Sequence, residues 1–63
     1  MSKYSEKQVS DKIEEAVRFL ADAKAPENKY TKLNDLHGAL QCISSAYNML
    51  SDILFYLRTQ HDT

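Results

Sequence analysis

Apolar side chains recur at alternating steps of three and four residues from position 33 to position 57. The repeat lasts for more than three heptads, and it places its members on one side of an α-helix. We call this set the leucine seam; it comprises Leu33, Leu36, Leu40, Ile43, Tyr47, Leu50, Leu54 and Leu57. A helix with such a repeat buries it against other helices, so the seam predicts an all-α fold with one long helix over about residues 32–60.

A shorter helix is predicted before it, over about residues 6–25. Ser5 and Gln8 have the spacing of a capping box, in which the two side chains satisfy each other's backbone N–H groups. Pro26 ends this helix, because proline disfavours helical angles in the residue before it. Between cap and proline, apolar residues with helical spacing are Val9, Ile13, Ala16, Leu20 and Ala23.

Residues 26–31 are the predicted linker, with Thr31 as the expected cap of the second helix. So short a linker makes the helices antiparallel neighbours, and the prediction is one helical-hairpin domain over residues 1–63. Gly38 lies opposite the seam, but the apolar repeat passes it without a slip, which favours a continuous helix over a break at His37. The predicted core consists of the five apolar positions of the first helix together with Leu33, Leu36, Leu40, Ile43, Tyr47 and Leu50.

The second helix is apolar on more than one side, and the first helix can cover only one of them. Fourteen of the 17 formal charges lie between positions 3 and 35. The sequence therefore predicts self-association, most simply as a homodimer that forms a four-helix bundle. The predicted interface comprises Cys42, Met49, Ile53, Leu54, Phe55, Tyr56 and Leu57. Residues 53–58 fit two interpretations, a homodimer core or a helix that docks into the groove of a different protein.

Residues with catalytic or metal-binding chemistry do not converge in this sequence. Asp35, His37 and Cys42 lack the recurrent four-ligand spacing of a zinc site. His37 and Cys42 are five residues apart and diverge on a helix, so they do not form a nucleophile and its base. Glu14 and Glu15 are adjacent and diverge in the same way, as a solvated face does. The sequence predicts no enzyme, no metal site and no cofactor.

A net charge of −1 argues against a dedicated nucleic-acid-binding protein. The alternative is an accessory factor that binds nucleic acid through lysines around the linker, namely Lys24, Lys29 and Lys32. No apolar stretch has the length of a membrane span. A lone cysteine, Cys42, and the lack of an apolar signal segment in residues 1–11 favour a cytoplasmic location.

The general plan resembles the short helical-hairpin proteins that temperate phages and plasmids encode as accessory or regulatory factors. It also resembles the small hairpin co-chaperones of bacterial secretion systems. In both groups a charged first helix, a short linker and an apolar second helix recur, as in residues 9–23 followed by 33–57 here. The resemblance implies a cytoplasmic protein that binds and modulates a protein partner, whether a host protein or a secretion-system component.

Overall fold

Two helices account for most of the chain. The computed structural model describes residues 3–61, and α1 spans Glu6–Ala23 while α2 spans Lys29–His61. The two helices pack against each other, and the described residues contain no strand. The prediction of an all-α helical hairpin is confirmed. The ends of the predicted domain, residues 1–2 and 62–63, lie outside the described residues.

The predicted capping box begins α1. The backbone N–H of Gln8 donates to Ser5 Oγ at 3.2 Å, and the backbone N–H of Ser5 donates to Gln8 Oε1 at 2.8 Å. The helix ends at Ala23, two residues before the predicted end. Backbone N–H groups of Lys24 and Ala25 donate three residues back rather than four, at 3.2 and 3.3 Å, so the chain leaves the α-helix in a tight turn ahead of the proline.

Asn28, not Thr31, caps α2, so the predicted cap is wrong. The backbone N–H of Thr31 donates to Asn28 Oδ1 at 2.9 Å, which is the bond that an N-cap side chain makes to the third helical residue. The helix therefore starts three residues earlier than predicted, and the linker is residues 24–28 rather than 26–31. As predicted, α2 continues through Gly38 without a break.

Small side chains form the contact between the helices. The thiol of Cys42 donates to a carboxylate oxygen of Glu15, and Gly38 lies against the ring of Phe19. These contacts set an antiparallel register in which four residues forward along α1 correspond to four residues back along α2. Nearly all of the buried side chains are small; they are Ala16, Ala23, Ala39, Cys42, Ala46 and Ile53. Small residues let two helix backbones approach closely, and here they come from both helices.

The leucine seam does not face α1, which corrects the prediction that it does. Its members are between 41% (Leu36) and 72% (Tyr47) exposed. Of the predicted core residues in α1, Ala16 and Ala23 are buried and Val9 is half-buried, whereas Ile13 and Leu20 are exposed. The side of α2 that carries small residues allows a closer approach to the alanines of α1 than the leucines would. This side, rather than the seam, therefore packs on α1.

Gly38 gives a test of this close approach. A Cβ placed there would lie 2.7 Å from the Phe19 ring, which is closer than carbon atoms pack. We expect Gly38→Ala to bring no gain in stability, because the Phe19 ring must move aside and this offsets the preference of a helix for alanine over glycine, about 1 kcal/mol. In a Phe19→Ala background the same change should instead stabilise it by up to about 1 kcal/mol, because alanine favours helix over glycine. Urea unfolding of the four proteins in this double-mutant cycle measures the coupling; equal effects in both backgrounds would contradict the contact.

Candidate protein-interaction surface

Exposed apolar residues from both helices lie on one side of the hairpin. A groove between the helices is lined by Val17 and Leu20 from α1 and by Leu36 from α2, which places these side chains next to one another. Ile13 belongs to the same helical stripe as Val17 and Leu20. We call the leucine seam together with Ile13, Val17 and Leu20 the apolar face; all eleven side chains are at least 41% exposed.

Two sides of α2 are apolar, and they point in different directions. At about 100° per residue, the side that carries Ala39, Cys42 and Ala46 is turned by roughly 90° from the middle of the seam. The first side packs on α1, and the second is uncovered. In α1 the stripe of Ile13 and Leu20 is turned by roughly 60° from the buried Ala16 and Ala23. Each helix thus presents a second apolar side, as helices with two neighbours do in a bundle.

The C-terminal part of α2 extends beyond α1. The register set by Glu15 and Phe19 places the first residue of α1 opposite Ser51, so residues 52–61 form an overhang. Ile53 is nevertheless only 8% exposed, and the same register puts the half-buried Tyr4 at its level. Leu54 and Leu57 of the overhang continue the seam and are exposed. With the overhang the hairpin is 54 Å long and about a quarter as wide.

No family model, curated protein or solved structure matches this chain. Neither described helix carries an apolar stretch long enough to cross a bilayer.

The residues predicted to contact another chain divide into three groups in the structure. Cys42 and Ile53 are buried within the hairpin, which corrects their assignment to an exposed interface. They lie on the small-residue side of α2, which α1 and the segment before it cover. Met49 and Tyr56 are half-buried on the edge of that side. Leu54, Phe55 and Leu57 are exposed, but Phe55 points away from the apolar face, towards the polar side of α2.

Glu15 contacts the hairpin core, although the sequence suggested only a solvated face. The Cys42 thiol donates to Glu15 Oε2 at 3.3 Å, and Lys12 Nζ lies 3.5 Å from the same oxygen. The hydrogen bond from the thiol and the nearby ammonium lower the pKa of Glu15. Burial, followed by the bond to the carboxylate, raises the pKa of Cys42. Lys12, Glu15 and Phe19 are three and four residues apart, so they lie along one side of α1. This spacing is the sequence feature that indicates their part in the contact with α2.

The raised pKa of Cys42 predicts a loss of stability at alkaline pH. The folded chain holds the thiol proton more tightly than the unfolded chain, so this contribution is complete below the ordinary cysteine pKa of about 8.5 and is lost as the pH rises towards the folded value. We expect the urea midpoint of the wild type to fall more between pH 7.5 and 9.5 than that of Cys42→Ala. The variant retains every tyrosine and lysine, so an equal fall in both proteins would contradict the prediction.

Glu15 adds a contribution of the opposite sign at acidic pH. Since its pKa is lowered by folding, the stabilisation is present above the ordinary glutamate value and is lost as the pH falls through the folded pKa. The alkaline and acidic effects therefore originate from the same pair of side chains. Neither effect indicates catalysis, because Cys42 is shielded by the hairpin and its proton is held more tightly than in a reactive thiol.

The other candidate site residues are separated in the structure. Asp35 is half-buried and His37 is exposed, and within the described residues no three His, Cys, Asp or Glu side chains are grouped as metal ligands would be. Lys24 and Lys32 line the same groove as Leu20 and Leu36. These two lysines therefore form the margin of the apolar face at the turn end of the hairpin, and Lys29 lies exposed at the start of α2.

Proposed function

We propose that this chain is a protein–protein interaction module that works by binding, through the apolar face, rather than by catalysis. The observation that carries the proposal is the continuity of that face: eleven large apolar side chains from both helices lie on one side, and all are substantially exposed. An exposed patch of this kind on a small protein marks a binding surface. Covering each large side chain is worth roughly 1.5–3 kcal/mol.

The exposed area of the chain supports this proposal. The hairpin exposes 5210 Å², whereas a compact monomer of its mass, 7.2 kDa, is expected to expose about 4,100 Å². The difference of roughly 1,100 Å² exceeds the surface of about 800 Å² that each partner buries in a standard stable interface. A hairpin of two helices has no third layer of its own to cover this surplus area, so a second protein surface is needed to cover it.

A four-helix bundle formed by two copies of the chain is the assembly that we propose. Each helix already has one neighbour within the hairpin and a second apolar side, about a quarter of a turn away in α2 and about a sixth of a turn away in α1. In a four-helix bundle every helix contacts two adjacent helices in this way. The bundle would act as a scaffold that binds and modulates a further protein, for which exposed Phe55, off the apolar face, offers one aromatic contact.

Sedimentation velocity over a range of concentrations tests the proposal. We expect the wild type to sediment with twice the mass of the 7.2 kDa chain at micromolar concentration and to dissociate on dilution. Circular dichroism at the same concentrations reports whether the helices persist in the monomer. A monomer that stays at 7.2 kDa and remains folded up to high micromolar concentration would contradict self-association through the apolar face.

A further inference from the structure

The position of the leucine seam within α2 determines how two copies fit together. This inference rests on the proposed function, namely dimerisation through the apolar face. The seam extends from Leu33 to Leu57, and its midpoint is residue 45. The helix itself extends from Lys29 to His61, and its midpoint is the same residue. We propose that the two copies pack with α2 antiparallel to α2 of the partner, about a twofold axis at residue 45.

Spacing along the seam supports an antiparallel pairing. Its steps of three and four residues read the same in both directions, so a twofold axis at residue 45 brings every member level with another member of the second copy. The seam side chains then pair across the two α2 helices in four distinct layers. In each layer the side chains of one helix pack into the gaps between side chains of the other. The layers are Leu33 with Leu57, Leu36 with Leu54, Leu40 with Leu50, and Ile43 with Tyr47.

Coverage of the overhang distinguishes this arrangement from the parallel one. With the two hairpins parallel, α2 would pack on α1 of the second copy, and α1 reaches only as far as Ser51. Leu54 and Leu57, which are 43% and 50% exposed in the hairpin, would then stay uncovered. In the antiparallel arrangement the overhang of each copy lies on Leu33 and Leu36 of the other, so both ends of the seam are covered.

Charge favours the same orientation. The turn region, residues 24–32, carries three lysines and one glutamate, so parallel hairpins would bring two positive ends together. Antiparallel packing moves the two turns to opposite ends of the bundle. It also places the C-terminal end of α2 beside Lys29 of the second copy, while Arg58 comes level with Lys32. The carbonyl groups of a helix C-terminus carry partial negative charge, and nearby cations stabilise them.

Distances between spin labels test the orientation directly. Single cysteines are introduced as Thr59→Cys, Asn34→Cys or Ser44→Cys in the full chain with Cys42→Ala, and each carries a spin label. Pulsed electron–electron double resonance then gives the distance between the two labels of the dimer. Antiparallel packing predicts about 42 Å at position 59 and about 33 Å at position 34 along the bundle axis, at 1.5 Å per residue. Position 44, next to the axis, should give a separation below about 20 Å, since neighbouring helices lie about 10 Å apart.

The possible outcomes separate this inference from the proposed function. Separations of about 10–20 Å at all three positions would mean parallel hairpins, which overturns the antiparallel arrangement and leaves the dimer intact. Absence of any dipolar coupling at position 44, with a monomer mass in sedimentation, would overturn the proposed self-association itself. Long separations at positions 34 and 59 with a short one at position 44 support the antiparallel bundle. Urea unfolding of each labelled chain shows that the fold is retained.

Discussion

Replacing Leu40 and Leu50 with serine in the same chain should convert the dimer into a folded monomer. Both side chains are exposed in the hairpin, at 60% and 44%, so the monomer loses little packing. In the antiparallel dimer they meet each other across the axis, and four buried leucines are lost per dimer. Each side chain is already about half covered in the hairpin, so each contributes about half of the roughly 1.5–3 kcal/mol of full burial, and the dissociation constant should rise by at least about a hundredfold.

The matched control replaces two residues on the polar side of α2, Gln41→Ser and Asn48→Ser. Both positions are exposed and lie off the seam; Gln41→Ser carries the same loss of helix propensity as a leucine replacement, and Asn48→Ser carries none. Sedimentation should show the control as a dimer and the leucine variant as a monomer. A leucine variant that remains an equally stable dimer would place the interface elsewhere. A variant that unfolds would show that the hairpin needs its partner in order to fold.

Replacing Ala39 with aspartate should unfold the protein at neutral pH. Ala39 is 2% exposed and packs in a cluster with Ala16, Cys42 and Phe19. A carboxylate there would be buried among these apolar side chains, and burying an unpaired charge costs several kcal/mol. A single core in a chain of this size rarely supplies more than about 3–5 kcal/mol, so one such change is enough.

Gln41→Asp is the control for this prediction, because it introduces the same carboxylate two residues away at an exposed position. Circular dichroism at 222 nm should show native helix content for Gln41→Asp and a loss of most helix signal for Ala39→Asp at pH 7. The signal of Ala39→Asp should recover in part towards pH 4, where protonation removes the buried charge. Equal helix content in both variants at pH 7 would contradict the small-residue contact between α1 and α2.

Local features of the sequence were sufficient to predict the helices. The capping box at Ser5 and Gln8 acts within one turn, and the proline at position 26 acts on its immediate neighbour, so both can be read without tertiary information. Capping of α2 was assigned to Thr31 rather than Asn28 because both residue types accept backbone N–H bonds. Which of the two residues caps the helix depends on the residue at which the chain turns back, and packing against α1 fixes that residue.

The apolar face was harder to predict than the helices because periodicity identifies apolar sides without assigning them to a neighbour. Periodicity gives the most weight to large side chains, so Leu40 and Tyr47 were placed against α1 and Cys42 and Ile53 at the outer interface. The structure exchanges these roles. Glu15 was placed in solvent for a related reason, since its contact with Cys42 exists only once the small-residue sides have come together.

The sequence by itself determined that this protein consists of two helices joined by a short turn, and that the second helix is apolar on more than one side. Caps, proline and the three-and-four repeat are local properties, and they operate before any helix meets another. Only the tertiary structure decided which side of α2 packs on α1. That choice depends on how closely two backbones approach: Ala16 packs with Ala39 and Cys42, Gly38 lies against the ring of Phe19, and the larger side chains of the leucine seam remain exposed.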